Sequence, residues 1–240
     1  MAMNCLGGDF LSDKPVYPHL ADLLVGESKV HHKTLNDFEP QVDLVRRLLD
    51  FILEALGQIG DVPYLYDART ANVLLANRSF NSLRCAFDQI LRGYYVQSFA
   101  QIRAALEDWF ACQYFKAQPE RAADLFPNED LIRTSKMADI AGVRHIYDSI
   151  YQEQSLVTHP RRLSIRMLLD SERKLIRLGG NYDKLLALGC FYQLVRGIVM
   201  SIESLAYVIS GTPAATIERG NTGAVLQREA HQWLDEVASE

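Results

Sequence analysis

The segment Ala71 to Lys116, ANVLLANRSFNSLRCAFDQILRGYYVQSFAQIRAALEDWFACQYFK, carries the densest hydrophobic periodicity in the chain. Val73, Ala76, Phe80, Leu83, Phe87 and Ile90 recur at alternating spacings of three and four, which puts all six on one stripe of a helix that must be buried. Gly93 follows Arg92. Glycine near a helix end adopts a left-handed turn with least strain, so a tight reversal is expected at Arg92-Gly93-Tyr94, with one continuous helix as the alternative. Tyr95, Phe99, Ile102, Leu106, Phe110 and Tyr114 then resume the helical spacing. Two such stripes joined by a short turn make an antiparallel helical hairpin.

On the N-terminal side, Gly60-Asp61-Val62-Pro63 separates the hairpin from an earlier stripe of Val42, Val45, Leu49, Ile52, Leu56 and Ile59. That pattern predicts a helix to about Ile59, capped by Asn36 or Asp37. Residues 1–35 hold Gly7-Gly8, Pro15, Pro18 and one short apolar run, Leu20 to Val25. They read as an irregular arm with one helical turn. Adjacent histidines on a helix point about 100° apart, so His31-His32 cannot share a metal as an i, i+4 pair can.

On the C-terminal side, Pro119 opens a short helix that Pro127 closes. Asn128 to about Gln154 reads as helical with a break at Gly142, and Pro160 stops the chain's helical course at His159. From Leu163 to Leu178, Ile165, Met167 and Leu169 alternate with Ser164, Arg166 and Leu168 around a turn at Asp170-Ser171-Glu172. The spacing favours a small β-hairpin; a helix through Leu163, Met167 and Leu175 is the rival. Gly179-Gly180-Asn181 breaks the chain again. Asp183 to about Ile209 forms the last long helix, with Phe191, Val195, Ile198, Ile202, Leu205 and Ile209 inward. A link containing Gly220 and Gly223 leads to a C-terminal helix with Leu226, Ala230, Trp233 and Val237 on one side.

The expected fold is mainly α: an antiparallel bundle of four long helices, roughly 38–59, 68–91, 94–116 and 183–209, with smaller helices and the hairpin in the crossover. The expected divisions are an irregular arm at 1–36, the bundle at 37–211, and a linker with a peripheral helix at 212–240. With 240 residues and 48% hydrophobic content, the chain suits one large domain. A net charge of -5 argues against broad nonspecific nucleic-acid binding, though not against a local basic patch. Cys5, Cys85, Cys112 and Cys190 are far apart without a CxxC pair. That pattern disfavours zinc, and Cys85 and Cys112 fall in helices that look buried, so reduced core thiols in a cytoplasmic protein are expected. No run of eighteen apolar residues occurs, and the N-terminus lacks a charged region followed by an apolar one. Neither a membrane span nor a signal peptide is therefore expected.

Two polar constellations stand out. Arg103 and Glu107 lie four apart with Arg103 near the apolar stripe, where it must snorkel or be paired. Arg84, Asp88 and Arg92 make a similar ladder. Bundle-edge ion pairing explains both; the sharper reading has Arg103 and Glu107 facing His159 in a polar pocket suited to an anion or to acid-base chemistry. The second constellation is Arg161 to Arg177, where six basic residues face two acidic ones. On a hairpin, Arg166 and Arg177 would point outward with Arg161 and Arg162 nearby, as a basic ribbon for phosphates or an acidic protein. A solvated edge protected by charge is the plain alternative.

LRGYYVQSFAQIRAALE (Leu91 to Glu107), QPERA (Gln118 to Ala122) and YQEQSLVTHPRRLS (Tyr151 to Ser164) together resemble uncharacterised bacterial helical families of HEPN-like organisation. These share an arginine and a glutamate on one bundle helix and a later serine-to-histidine-proline stretch; the likeness spans about Leu91 to Asp183. It implies kinship with toxin ribonucleases, abortive-infection proteins and nucleotide-binding partners of nucleotidyltransferases, many of them dimers. Their ribonucleases place a histidine four to six residues after an arginine on one helix. None of the six histidines here has that spacing, so Arg103 and His159 would have to meet from separate segments. There is also no Glu-x-x-His pair, HExxH, GxSxG or P-loop, and no cofactor or metal is expected. The sequence therefore leads to a non-enzymatic helical interaction or regulatory module. It would be a homodimer that binds a protein, nucleic-acid or anionic partner through the 118–182 crossover. The alternative is a divergent HEPN-like ribonuclease or toxin using Arg103, Glu107 and His159.

Overall fold

The computed structural model describes residues 19–59, 67–125, 132–158, 167–170, 175–176, 179–210 and 217–239. The chain is mainly helical, as the periodicity requires. Its long helices are α1 (Leu20–Asp37), α2 (Glu39–Gly57), α3 (Ala68–Leu91), α4 (Tyr95–Ala117), α8 (Lys184–Ile209) and α9 (Ile217–Ser239). Between α4 and α8 come a 3-10 turn (Pro119–Leu125), α5 (Thr134–Ile140), α6 (Arg144–Ile146), a π-helical turn (Tyr147–Tyr151) and α7 (Gln152–Thr158). Two short strands, β1 (Leu169–Asp170) and β2 (Leu175–Ile176), follow and pair antiparallel with Leu169 opposite Ile176.

The reversal between α3 and α4 is a Schellman cap. Gly93 has φ +79°, Tyr94 N–H donates to Gln89 C=O at 2.8 Å and Gly93 N–H to Ile90 C=O at 3.0 Å, which satisfies carbonyls that the helix end would orphan. Side-chain caps set the starts of α3 and α8: Asp67 accepts from Thr70 N–H at 2.8 Å and Asp183 from Leu186 N–H at 3.0 Å, each closing one free donor of the first turn. Gly180 presses onto the reversal, and Gly179 onto Leu23 of α1. A Cβ on Gly180 would lie 1.7 Å from Arg92 C=O, and one on Gly93 would lie 2.3 Å from Asn181 C=O.

Of the α3 stripe, Ala76, Phe80, Leu83 and Ile90 are buried while Val73 and Phe87 are only half-buried; the stripes of α4 and α8 face inward throughout. All six residues of the α4 stripe and all six of the α8 stripe are buried, and one core joins α2, α3, α4, α8 and α9. α3 packs chiefly on α4 and then on α8. A second cluster, with Leu75, Phe115, Ala122 and Met137, closes the end of α3 and α4 remote from the reversal. The third joins Leu106 and Phe110 of α4 to Ala138, Ile150 and Tyr151 of the crossover. α8 is long and apolar enough to cross a membrane by composition, with mean hydropathy 1.7 over its most apolar window, 61% of which is buried among the other helices.

Three expectations need correction. Leu20–Asp37 is an 18-residue helix, not part of an irregular arm over 1–36, and Asn36 and Asp37 end it rather than cap the next one. α2 starts instead from Phe38, at φ -128° and ψ 31°, with Pro40 in its first turn. α1 lacks an apolar stripe because its buried residues are Glu27 and Thr34; Tyr94 hydroxyl donates to Glu27, and Thr34 hydroxyl to Val30 C=O at 3.0 Å. α9 runs through Gly220 and Gly223, which were expected in a linker within 212–240. Gly223 brings the helix backbone against Phe51, where a Cβ would meet the ring at 2.8 Å. Finally, Cys85 is exposed, while Cys112 is a buried free thiol as expected and Cys190 is a second.

Candidate functional site

Arg103 and Glu107 sit one turn apart on α4, and the crossover closes over them. Arg103 Nε lies 3.2 Å from Glu107 Oε1. The same guanidinium donates to Tyr151 hydroxyl from Nη2 at 2.8 Å and from Nε at 3.2 Å, and to Thr158 Oγ1 from Nη1 at 3.0 Å. Tyr151 hydroxyl in turn donates to Glu107 Oε1 at 2.7 Å. Arg103, Glu107 and Tyr151 thus close a ring of charge-assisted bonds, the stronger class of hydrogen bond, and Thr158 hangs from its Arg103 corner. The Arg103 side chain is 22% exposed and Glu107 38%, so the cluster opens to solvent on the Glu107 side.

The crossover reaches this point through its backbone irregularity. Gly142, at φ +71°, ends α5 as the sequence suggests, and the chain re-enters helix at Arg144. The π turn at Tyr147–Tyr151 adds a residue to the helical repeat, a feature common at functional sites. It stacks Tyr147 on Tyr151 with ring centroids 4.8 Å apart, and Phe110 of α4 meets both rings edge-on at 5.9 Å. Tyr151 is 6% exposed, its hydroxyl aimed at the α4 pair. Burial first, then the Glu107 hydrogen bond and charge, raise its pKa against the opposing pull of Arg103. The phenol is thereby held as a donor.

A second polar pair lies on the side of α4 that faces α3. Asp108 is 1% exposed and its Oδ1 accepts from Arg78 Nε at 2.7 Å and from Arg78 Nη2. Among the described residues its Oδ2 has no partner, nor does the buried Nε1 of neighbouring Trp109. Burial outweighs the attraction of Arg78 and pushes the Asp108 carboxyl up to about 6. Ser79, Ser201, Ser204 and Cys112 line the same small space, and burial raises the Cys112 thiol to about 12, well away from a reactive thiolate.

Of the residues singled out in the sequence, Arg103 and Glu107 are brought together. His159, Arg161, Arg162, Arg166 and Arg177 lie outside the described residues, as do the flanks of the expected hairpin. Thr158, immediately before His159, does reach Arg103. In the ladder on α3, Arg92 bonds Asp88 at 3.1 Å. Tyr151, Thr158 and Asp108 were missed. Asp108 has a recognisable signal, since Ala105 and Cys112, one turn away on either side, make a face where helices approach closely. Tyr151 and Thr158 have none, because their meeting with Arg103 depends on how the crossover docks. His31 and His32 lie edge to face on α1 with rings 5.9 Å apart, and among the described residues no group of three or more His, Cys, Asp or Glu side chains is placed to hold a metal.

Comparison with known proteins finds no matching family model, no similar curated protein and no similar solved structure. The functional reading therefore rests on the chemistry of these residues.

Proposed function

We propose that the protein is a non-enzymatic helical interaction or regulatory module of HEPN-like organisation, working as a homodimer in the cytoplasm. It binds a partner or an anionic ligand through the 118–182 crossover. Its scaffold is an antiparallel bundle of the four helices α2, α3, α4 and α8, β1 with β2 is the core of a small hairpin in the crossover, and Arg161, Arg162, Arg166 and Arg177 are the candidate contacts for that ligand. The observation that carries this reading is the Arg103 ring. A buried-edge arginine whose donors go to Glu107, Tyr151 and Thr158 is neutralised within the fold and clasps the crossover to α4. Such a clasp suits a surface that must be held in one shape, or released, when something binds.

A second reading is favoured by the Thr158 contact, which ties the segment just before His159 to Arg103 and so supports a divergent ribonuclease using Arg103, Glu107 and His159. One pair of measurements separates the two. Light scattering of the purified full chain should give a dimer mass, and incubation with RNA should give no cleavage. Cleavage that disappears in His159→Ala would replace the module reading with the nuclease one, and a monomer mass would remove the dimer from it.

A further inference from the structure

Glu107 is the anionic member of the Arg103 ring. Its Oε1 receives hydrogen bonds from Tyr151 hydroxyl at 2.7 Å and Arg103 Nε at 3.2 Å, the donors a bound oxyanion would use. These donors and this acceptor differ in how firmly they are held. The Arg103 guanidinium lies over the Tyr151 ring, 4.9 Å from its centroid, and also reaches Thr158; Tyr151 is buried in the aromatic cluster with Phe110. Glu107 is more exposed than Arg103 and than the buried Tyr151. Its link to Arg103 is a four-residue helical pair, a kind that contributes little and opens readily. The donors are therefore fixed and the acceptor is replaceable.

We propose that Glu107 is an internal substitute for a phosphate: the phosphate group of a small ligand displaces its carboxylate and is held by Arg103, with the hydroxyls of Tyr151 and Thr158 as neutral donors. A phosphate has more acceptor oxygens than a carboxylate and a larger charge, and a planar guanidinium suits it. Arg103 Nε and Tyr151 hydroxyl now meet on the single oxygen Glu107 Oε1, while Thr158 hydroxyl, which accepts from Arg103 Nη1, keeps its own proton to donate; a phosphate's several oxygens can take all three groups. Displacement frees Glu107 to turn towards solvent. Thr158 and Tyr151 both belong to the crossover, so the ligand would hold the crossover on α4 in place of the internal carboxylate. This inference rests on the anionic-ligand reading above and names its ligand class.

The test is calorimetric titration of the full chain with AMP and with inorganic phosphate, on wild type, Glu107→Gln and Arg103→Gln. Removing the internal competitor should tighten AMP binding roughly two- to fivefold. Arg103→Gln should abolish it. Because that variant also cuts the crossover's bonds, Tyr151→Phe serves as a second variant; it keeps the ring and should weaken binding without loss of helical circular dichroism. Inorganic phosphate binding as well as AMP would identify a free oxyanion as the ligand, and AMP binding more tightly would identify a nucleotide phosphate; either keeps the proposal. Unchanged affinity in Glu107→Gln, undiminished binding in Arg103→Gln, or no binding of either probe to any form overturns it. A dimer that binds neither probe would sink this inference and leave the partner-binding function standing.

Discussion

Replacing Asp108 with Asn should change how stability depends on pH, in a direction set by the burial of the carboxylate. Asp108 is 1% exposed, whereas Arg78, its one partner, is 64% exposed. The arginine thus keeps most of its hydration while the carboxylate loses nearly all. The carboxyl ionises near 6 instead of 3.8, so holding it charged in the fold at neutral pH costs about 3 kcal/mol. Below the ordinary value both folded and unfolded chains are protonated and the penalty is absent. Between 3.8 and 6 the folded chain binds more protons than the unfolded one, so stability falls as pH rises, and above 6 the full penalty applies. An amide at this position has no such titration. Its NH2 next to the unpartnered Oδ2 position costs about 1–3 kcal/mol at every pH, so the slope decides the matter. Urea unfolding of both proteins, followed by circular dichroism from pH 4 to pH 7, should show the variant gaining on wild type by up to about 3 kcal/mol across the range. The lowered carboxyls of Asp67 and Glu229 have the opposite trend, but they are common to both proteins and cancel in the difference. A flat difference, or one in which wild type gains, would refute the argument that burial dominates over Arg78.

Two glycines give further tests. Gly93→Ala forces a side chain into φ +79° and towards Asn181 C=O, and should cost at least about 2 kcal/mol in chemical unfolding; a change within experimental error would show that the reversal can relax. Gly223→Leu should push α9 off Phe51 and loosen the Arg47 to Glu229 pairing, whose Nη1 to Oε2 bond is 2.8 Å. The expected loss is about 1–3 kcal/mol, accompanied by faster amide exchange along α9, and unchanged exchange there would mean the ring swings away freely.

The parts of the fold that could be read from the sequence are those where burial follows apolar spacing. The stripes of α4 and α8 needed no tertiary information, and neither did the Gly93 cap, because a left-handed turn at a helix end follows from local sterics. α1 could not be read this way: its inward residues Glu27 and Thr34 are polar, and its apolar Leu20, Leu24 and Val25 are exposed. In α9 a glycine that permits close packing against Phe51 looks, in sequence, like a glycine in a linker. The candidate site divides in the same manner. Arg103 and Glu107 are readable as a helical pair, whereas the link from Arg103 to Tyr151 spans 48 residues and depends on the π turn, which leaves no mark in residue spacing. Asp108 is legible only as a carboxylate on the close-packed face of Ala105 and Cys112, and its pairing is not, because Arg78 lies on another helix, 30 residues away.

The central claim is that Arg103 clasps the crossover to α4, and amide hydrogen exchange of Arg103→Ala against wild type tests it most directly. The account predicts exchange faster by about tenfold or more through Gln152–Thr158, with α3 and α8 protected as before. Unchanged exchange in α7, or an equal loss of protection throughout the bundle, would contradict it.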